Sequence, residues 1–185
     1  MALNPEALRT RSGIMAWLGA FDLFLEPEDI DGWFSVDDLD EFVPIGSESS
    51  GGAFVLLPTG RVLYVASEGR AGIIAASFEE LIQLVVACPY WPDILKYSAG
   101  GDIDEMRRAA EMLESMLENE DDIEHARKVL RAELELPKAT DPVGALYAAV
   151  AASDVIVRTS DGAPFTTLFN RFTIDSHPML RDAAA

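Results

Sequence analysis

The sequence predicts an α+β fold: one domain in which helices pack on a small, mainly antiparallel sheet. Three observations carry this. Between Phe42 and Ala76, short apolar runs alternate with turn chemistry. On both sides of that region, apolar residues recur at three- and four-residue spacing, the signature of amphipathic helices. The length, 185 residues, suits a single core.

Residues 5–25 read as one helix, because Leu8, Ile14, Trp17, Leu18, Phe21 and Leu25 fall near one face and Pro27 follows. The stretch Glu26–Glu41 is acidic and interrupted by Pro27 and Gly32, and Ser35 is placed to cap a short helical turn over Val36–Leu39. Ala53–Leu57 and Val62–Val65 read as strands joined by Pro58-Thr59-Gly60. Gly72–Ala76 reads as a third strand after Ser67–Arg70. The two longer strands are apolar at consecutive positions, which predicts a sheet covered on both faces. Ser77-Phe78-Glu79-Glu80 is a capping box opening a helix that Pro89 and Pro92 end. Ile103, Met106, Ala110, Leu113 and Leu117 form a helical stripe expected to be buried, with Glu111, Glu114 and Glu118 on its wet side. A second stripe follows at Ile123, Ala126, Leu130 and Leu134, then a small-residue helix over 142–152. Strand candidates at Val155–Val157 and Phe165–Phe169 flank an Asp161-Gly162 turn. The expected domain covers residues 1–170, with 171–185 as a tail.

Charge narrows the function. There are 32 acidic and 14 basic residues, a net charge of −18. Asp22–Glu48 holds ten carboxylates and no Lys or Arg; Asp102–Glu135 holds twelve against five basic residues. Binding to nucleic acid or anionic lipid needs basic clusters, so both are disfavoured and a basic protein partner is the natural complement. Plain solubility also accounts for such a charge. The apolar-rich run Gly13–Leu25 has 13 residues and contains Asp22, too short to span a bilayer. The single cysteine, Cys88, excludes an internal disulfide and suits the reducing cytoplasm.

Catalytic, cofactor and metal motifs do not emerge. Cys88 lies at a helix C-terminus, where the dipole opposes a thiolate. His125 and His177 lack zinc-ligand spacing. Asp29-Ile-Asp31 and Asp102-Ile-Asp104 do not continue as calcium loops. Gly46–Gly52 lacks the Gly-Lys-Ser/Thr ending of a phosphate loop and precedes a strand rather than a helix. Paired carboxylates for a hydrolase are available in any chain this acidic.

One ordered set of segments carries a family resemblance. It runs through Phe42-Val-Pro-Ile-Gly-Ser47, Gly51-Gly52, Val62-Leu-Tyr-Val65, Glu68-Gly69, Ile73-Ile74-Ala75 and Ser77-Phe78-Glu79-Glu80-Leu81. In order and spacing this resembles the SUKH superfamily, which groups yeast cell-wall-synthesis regulators with bacterial immunity proteins of polymorphic toxin systems. The match covers residues 42–86, about a quarter of the chain. The resemblance implies a non-catalytic binding protein that neutralises a toxin by direct contact. The acidic charge suits a toxin domain with a basic, nucleic-acid-holding cleft. The alternatives are a small carboxylate hydrolase and a regulatory scaffold. Partner contacts are expected on Trp33, Asp37, Asp38, Asp40, Glu41 and Glu48, where aromatic residues interleave carboxylates on irregular backbone.

Overall fold

The computed structural model describes residues 3–26, 30, 32–39, 41–117 and 121–176. The expected α+β domain is present. Its centre is a four-stranded antiparallel meander of β2 (Val43–Ser47), β3 (Ala53–Leu56), β4 (Val62–Ala66) and β5 (Arg70–Ala75), in that spatial order. Successive side chains of a strand point to opposite faces, and here both sets are apolar. Phe54, Val62, Tyr64 and Ile74 join the larger core, beneath the helices; Val55, Leu63, Val65 and Ile73 join a second core on the other face.

The first face is covered by α1 (Pro5–Arg9), α2 (Ser12–Gly19), α3 (Phe78–Ala87), α4 (Trp91–Lys96), α5 (Ile103–Leu117), α6 (Asp121–Glu133) and α7 (Pro142–Ala151). The second is covered by a two-stranded antiparallel ribbon of β1 (Phe34–Val36) and β6 (Val157–Thr159). Phe34, Val36 and Val157 supply its buried contacts. The ribbon joins the meander through Thr166, which bridges Arg70 at the outer edge of β5.

Several local expectations change. Residues 5–25 form two short helices. Asn4 caps α1 by accepting from the Ala7 amide, and α1 stops at Thr10. After α2 the chain turns at Asp22 (φ 57°) and extends, so that Phe24 and Ser47 exchange both backbone hydrogen bonds at 2.8 and 2.9 Å. Ser35 lies in β1, not at a helix cap, because Phe34 and Val36 point into the core while Ser35 faces solvent. The Ser77 hydroxyl accepts from the Glu80 amide as expected, but the Glu80 carboxylate reaches the amide of Ala76 rather than that of Ser77. Pro92 starts α4 instead of ending α3. Met106 and Ala110 of the α5 stripe are buried, whereas Ile103, Leu113 and Leu117 are half-buried. Within Phe165–Phe169 only Thr166 makes a bridge, to Arg70, and no strand forms.

Within the expected tail, residues 171–176 pack against the domain. Ile174 is buried against Tyr97 and Ala109, and Asp175 pairs with Arg108. His177, with residues 178–185, lies outside the described residues.

The outer edge of β2 is blocked by the Phe24 bridge and by Arg9, whose guanidinium donates to the carbonyl of Ile45 at 3.1 Å. This explains Gly46. A Cβ there would lie 2.3 Å from the Phe24 carbonyl oxygen, which is backbone and cannot swing away. Gly46→Ala is therefore expected to destabilise by about 1–3 kcal/mol, lowering Tm by roughly 2–4 °C per kcal/mol at this chain length. Gly13→Ala, where the added carbon meets nothing within 4 Å and the residue is helical, is expected to raise Tm slightly. Thermal unfolding of the two variants checks both signs.

Candidate partner-binding surface

The acidic segment after α2 is built on an aromatic base. The Phe42 ring stacks on Phe34 at 5.6 Å with an interplanar angle of 13°, and Trp33 meets Phe34 edge-on at 5.3 Å. Leu39 bridges back to Val36, closing a turn in which Asp38 takes a left-handed conformation (φ 60°). Short polar residues such as Asp tolerate that conformation better than most. Leu39 and Phe42 pack against the second core, while Asp38 and Glu41 are exposed. The result is a half-buried aromatic group bordered by carboxylates, the anatomy of an interface centre with a polar rim.

Six contact residues were expected, and they do not share one environment. Trp33, Asp38 and Glu41 lie on this surface, Trp33 half-buried. Asp37 faces Arg158, which donates to both its carboxylate oxygens at 2.8–3.0 Å, and the Asp37 amide donates to Ile156. This hydrogen bonding from Arg158 holds the Asp37 carboxyl below the usual range. The segment has no cation of its own, but the fold brings one from more than a hundred residues away. Asp40 lies outside the described residues.

Glu48 departs from the expectation of a surface contact. It is 9% exposed, and its carboxylate organises the β2–β3 loop. The Ser50 amide and hydroxyl donate to it at 2.7 and 2.6 Å, the Gly52 amide at 2.6 Å and the Tyr64 hydroxyl at 3.0 Å. Burial pushes its pKa up, but these donors outweigh burial and hold the group ionised. Tyr64 is driven the other way, first by burial and then by the Glu48 charge. Gly52 is fixed by the same cluster, since a Cβ would lie 2.5 Å from both Glu48 Oε1 and the Tyr64 hydroxyl. Asp22 clamps the loop from outside, accepting from the amide and the hydroxyl of Ser49, both at 2.9 Å.

A second polar cluster joins three helices. Arg127 of α6 is buried; it donates to the carbonyls of Val86 and Ala87 at the C-terminus of α3, both at 3.2 Å, and forks onto Glu114 of α5. Glu114 also accepts from the Tyr90 hydroxyl. Glu114, read from the sequence as a wet-side residue, thus has a structural role. Hydrogen bonding from Arg127 pulls its pKa down. Cys88 sits beside this cluster, 3% exposed, its thiol pushed up to about 11 by burial and then by the Glu114 charge. It is protonated at neutral pH.

The distribution of cations is the signal that local sequence reading misses. Arg11, Arg61, Lys96, Arg107, Arg108, Arg127, Lys128 and Arg158 all form ion pairs with carboxylates of this chain. Arg9 and Arg70 donate to backbone carbonyls. Most of the positive charge is thus paired within the chain, chiefly at its surface, and the unpaired surplus is carboxylate. Asp102 likewise caps α5, accepting from the amides of Asp104 and Glu105. His125 stands edge-on to Trp17. Among the described residues, no group of three or more His, Cys, Asp or Glu side chains is placed to hold a metal ion, and no helix is long and apolar enough to cross a membrane.

Comparison with protein-family models, with curated proteins and with solved structures gives no match to this chain.

The Arg127–Glu114 cluster generates a pH-dependent expectation. A carboxyl depressed by folding contributes stability that is present above its ordinary value and lost as pH falls through the folded one. Glu114→Gln is therefore expected to cost about 1–2 kcal/mol at pH 7. Its urea midpoint should converge with that of the unaltered protein as pH drops below the ordinary glutamate value, about 4.3. Urea unfolding of both proteins from pH 7 to pH 3 measures this gap.

Proposed function

We propose that the protein is a non-catalytic binding protein of the immunity type, which neutralises a basic toxin domain by covering it with an acidic surface. The observation that carries this reading is the pairing of cations within the chain: a protein of net charge −18 commits most of its Arg and Lys side chains to its own carboxylates and backbone. Such a surface attracts a basic partner and repels nucleic acid, whose phosphates it cannot neutralise. A toxin that acts on nucleic acid needs a basic cleft, and carboxylate side chains imitate the phosphates that cleft is made to hold. The resemblance of residues 42–86 to the SUKH superfamily points the same way.

The carboxyl chemistry supports binding over hydrolysis. A general-acid carboxyl needs a raised pKa to hold its proton at neutral pH. Asp37, Glu48, Glu114, Asp141, Asp154 and Asp161 are all shifted downward. Glu48, the most sheltered of them, has its oxygens taken up by four donors of its own fold.

Within this reading the contact surface centres on Trp33, Asp38 and Glu41. Asp37 supports the surface from beneath through Arg158, and Glu48 holds the adjacent loop. The test is to search the genes beside this one for a toxic domain with a basic cleft and to co-express that domain with this protein. Restored growth, together with a purified one-to-one complex, is the expected result; continued toxicity in the presence of folded protein rejects the reading. In the complex, Asp38→Asn with Glu41→Gln is expected to lower the association rate toward the uncharged range of about 10⁵–10⁶ M⁻¹s⁻¹ and to flatten its salt dependence. Stopped-flow association at several ionic strengths checks this. Unchanged rate and slope move the contact surface away from the β1 turn.

A further inference from the structure

We infer that residues 170–176 form a strap that opens and closes as a unit, ahead of global unfolding, over an apolar socket between α4 and α5. This inference is independent of the toxin-binding reading.

The closed state is built from five kinds of contact. The loop after α4 presents its backbone to the strap through three consecutive left-handed residues, Ala99 (φ 50°), Gly100 (φ 85°) and Gly101 (φ 103°). Ala99 N–H donates to the Phe172 carbonyl at 2.9 Å and Gly100 N–H to the Asn170 carbonyl at 2.6 Å. The Ser98 hydroxyl donates to the Asn170 carbonyl and accepts from its amide, both at 3.0 Å. Ile174 fills the socket, 1% exposed, against Tyr97 and Ala109 with Met112 and Leu113 alongside. Its amide donates to Glu105 at 3.0 Å. Beyond it, Arg108 forks onto Asp175 at 2.7 and 2.8 Å.

The balance of these contacts makes the strap separable. It buries one large side chain, while Arg171, Phe172, Asp175 and Ser176 are exposed, Phe172 at 52%. Segments with few buried contacts and exposed hydrogen bonds open at lower free energy than the core. The Arg108–Asp175 pair is itself exposed, with side chains 45% and 57% accessible, so salt screens it. Opening uncovers Tyr97, Ala109, Met112 and Leu113 beside the carboxylates of Asp102, Asp104 and Glu105, and exchanges a closed polar rim for an apolar patch.

Hydrogen–deuterium exchange on the full chain tests this. In Asp175→Asn, and in the unaltered protein moved from 50 mM to 1 M sodium chloride, exchange of the peptides carrying Ala99–Gly100 and residues 170–176 is expected to rise about two- to fivefold. Ile174→Ala is expected to raise it about tenfold or more. Peptides from α3 and β4 should keep their rates in all three cases. Hydroxyl-radical labelling of Tyr97 should rise with the strap exchange, because Ile174 packs against the ring while the strap is closed. The inference fails if strap and core amides change together, which means that the strap leaves only on global unfolding. It also fails if Asp175→Asn and high salt leave strap exchange unchanged, or if Tyr97 labelling stays constant while strap exchange rises.

Discussion

A sheet with apolar side chains on both faces has to be covered twice, and the rest of this chain is arranged to do so. Neither face of the β2–β5 meander can be left in water, since Leu63, Val65, Val62 and Ile74 are all at most 2% exposed. Burying one large aliphatic side chain contributes on the order of 1.5–3 kcal/mol, so each face is a substantial part of the driving force for folding. Helices cover one face from both ends of the sequence. The other takes a two-stranded ribbon whose strands come from the N-terminal and C-terminal thirds. The acidic β1 turn projects from that ribbon, and its carboxylates are displayed because the aromatic residues between them are needed underneath.

The residues that carry the family resemblance are architectural. Gly46 lets the Phe24 backbone cross β2, Gly52 makes room for Glu48 and Tyr64, and Ser77 caps α3. These residues build the scaffold, whereas the segment proposed to meet a partner, residues 33–41, lies outside the resembling stretch. The residues that build the frame and those of the proposed contact surface thus lie in neighbouring but separate parts of the chain.

What local pattern could reveal, it did. Three strands of the meander, β3 to β5, and α3, α5, α6 and α7 are long or strongly periodic enough for their neighbours in sequence to specify them, whereas β2, with Pro44 and Gly46 inside it, was not read as a separate strand; the two-sided burial followed from consecutive apolar residues in the strands. The ribbon was hidden because β1 is three residues long and its partner lies across the chain. Without Val157 opposite it, Ser35-Val36-Asp37 looks like a cap. At the candidate site, Trp33, Asp38 and Glu41 were legible as an acidic, aromatic surface, but two carboxylates misled. Asp37 reads as unpaired until Arg158 arrives. Glu48 reads as exposed until Tyr64 and the loop amides close around it, because a Gly- and Ser-rich stretch gives no local sign that its own amides will converge on one side chain. Ile174 is a single aliphatic residue in polar surroundings, a pattern with no periodicity from which to infer docking.

The ribbon has a consequence for synthesis. Arg158 and Asp37 are 121 positions apart, and the meander is complete at Ala75. A ribosome adding about 5–20 residues per second releases the sheet several seconds before β6 exists to help cover its second face. Through that interval a nascent chain presents Val55, Leu63, Val65 and Ile73 without their final cover. The ten carboxylates between Asp22 and Glu48 are already made by then. Like charge on neighbouring nascent chains opposes their contact through the interval in which the second face lacks its C-terminal cover.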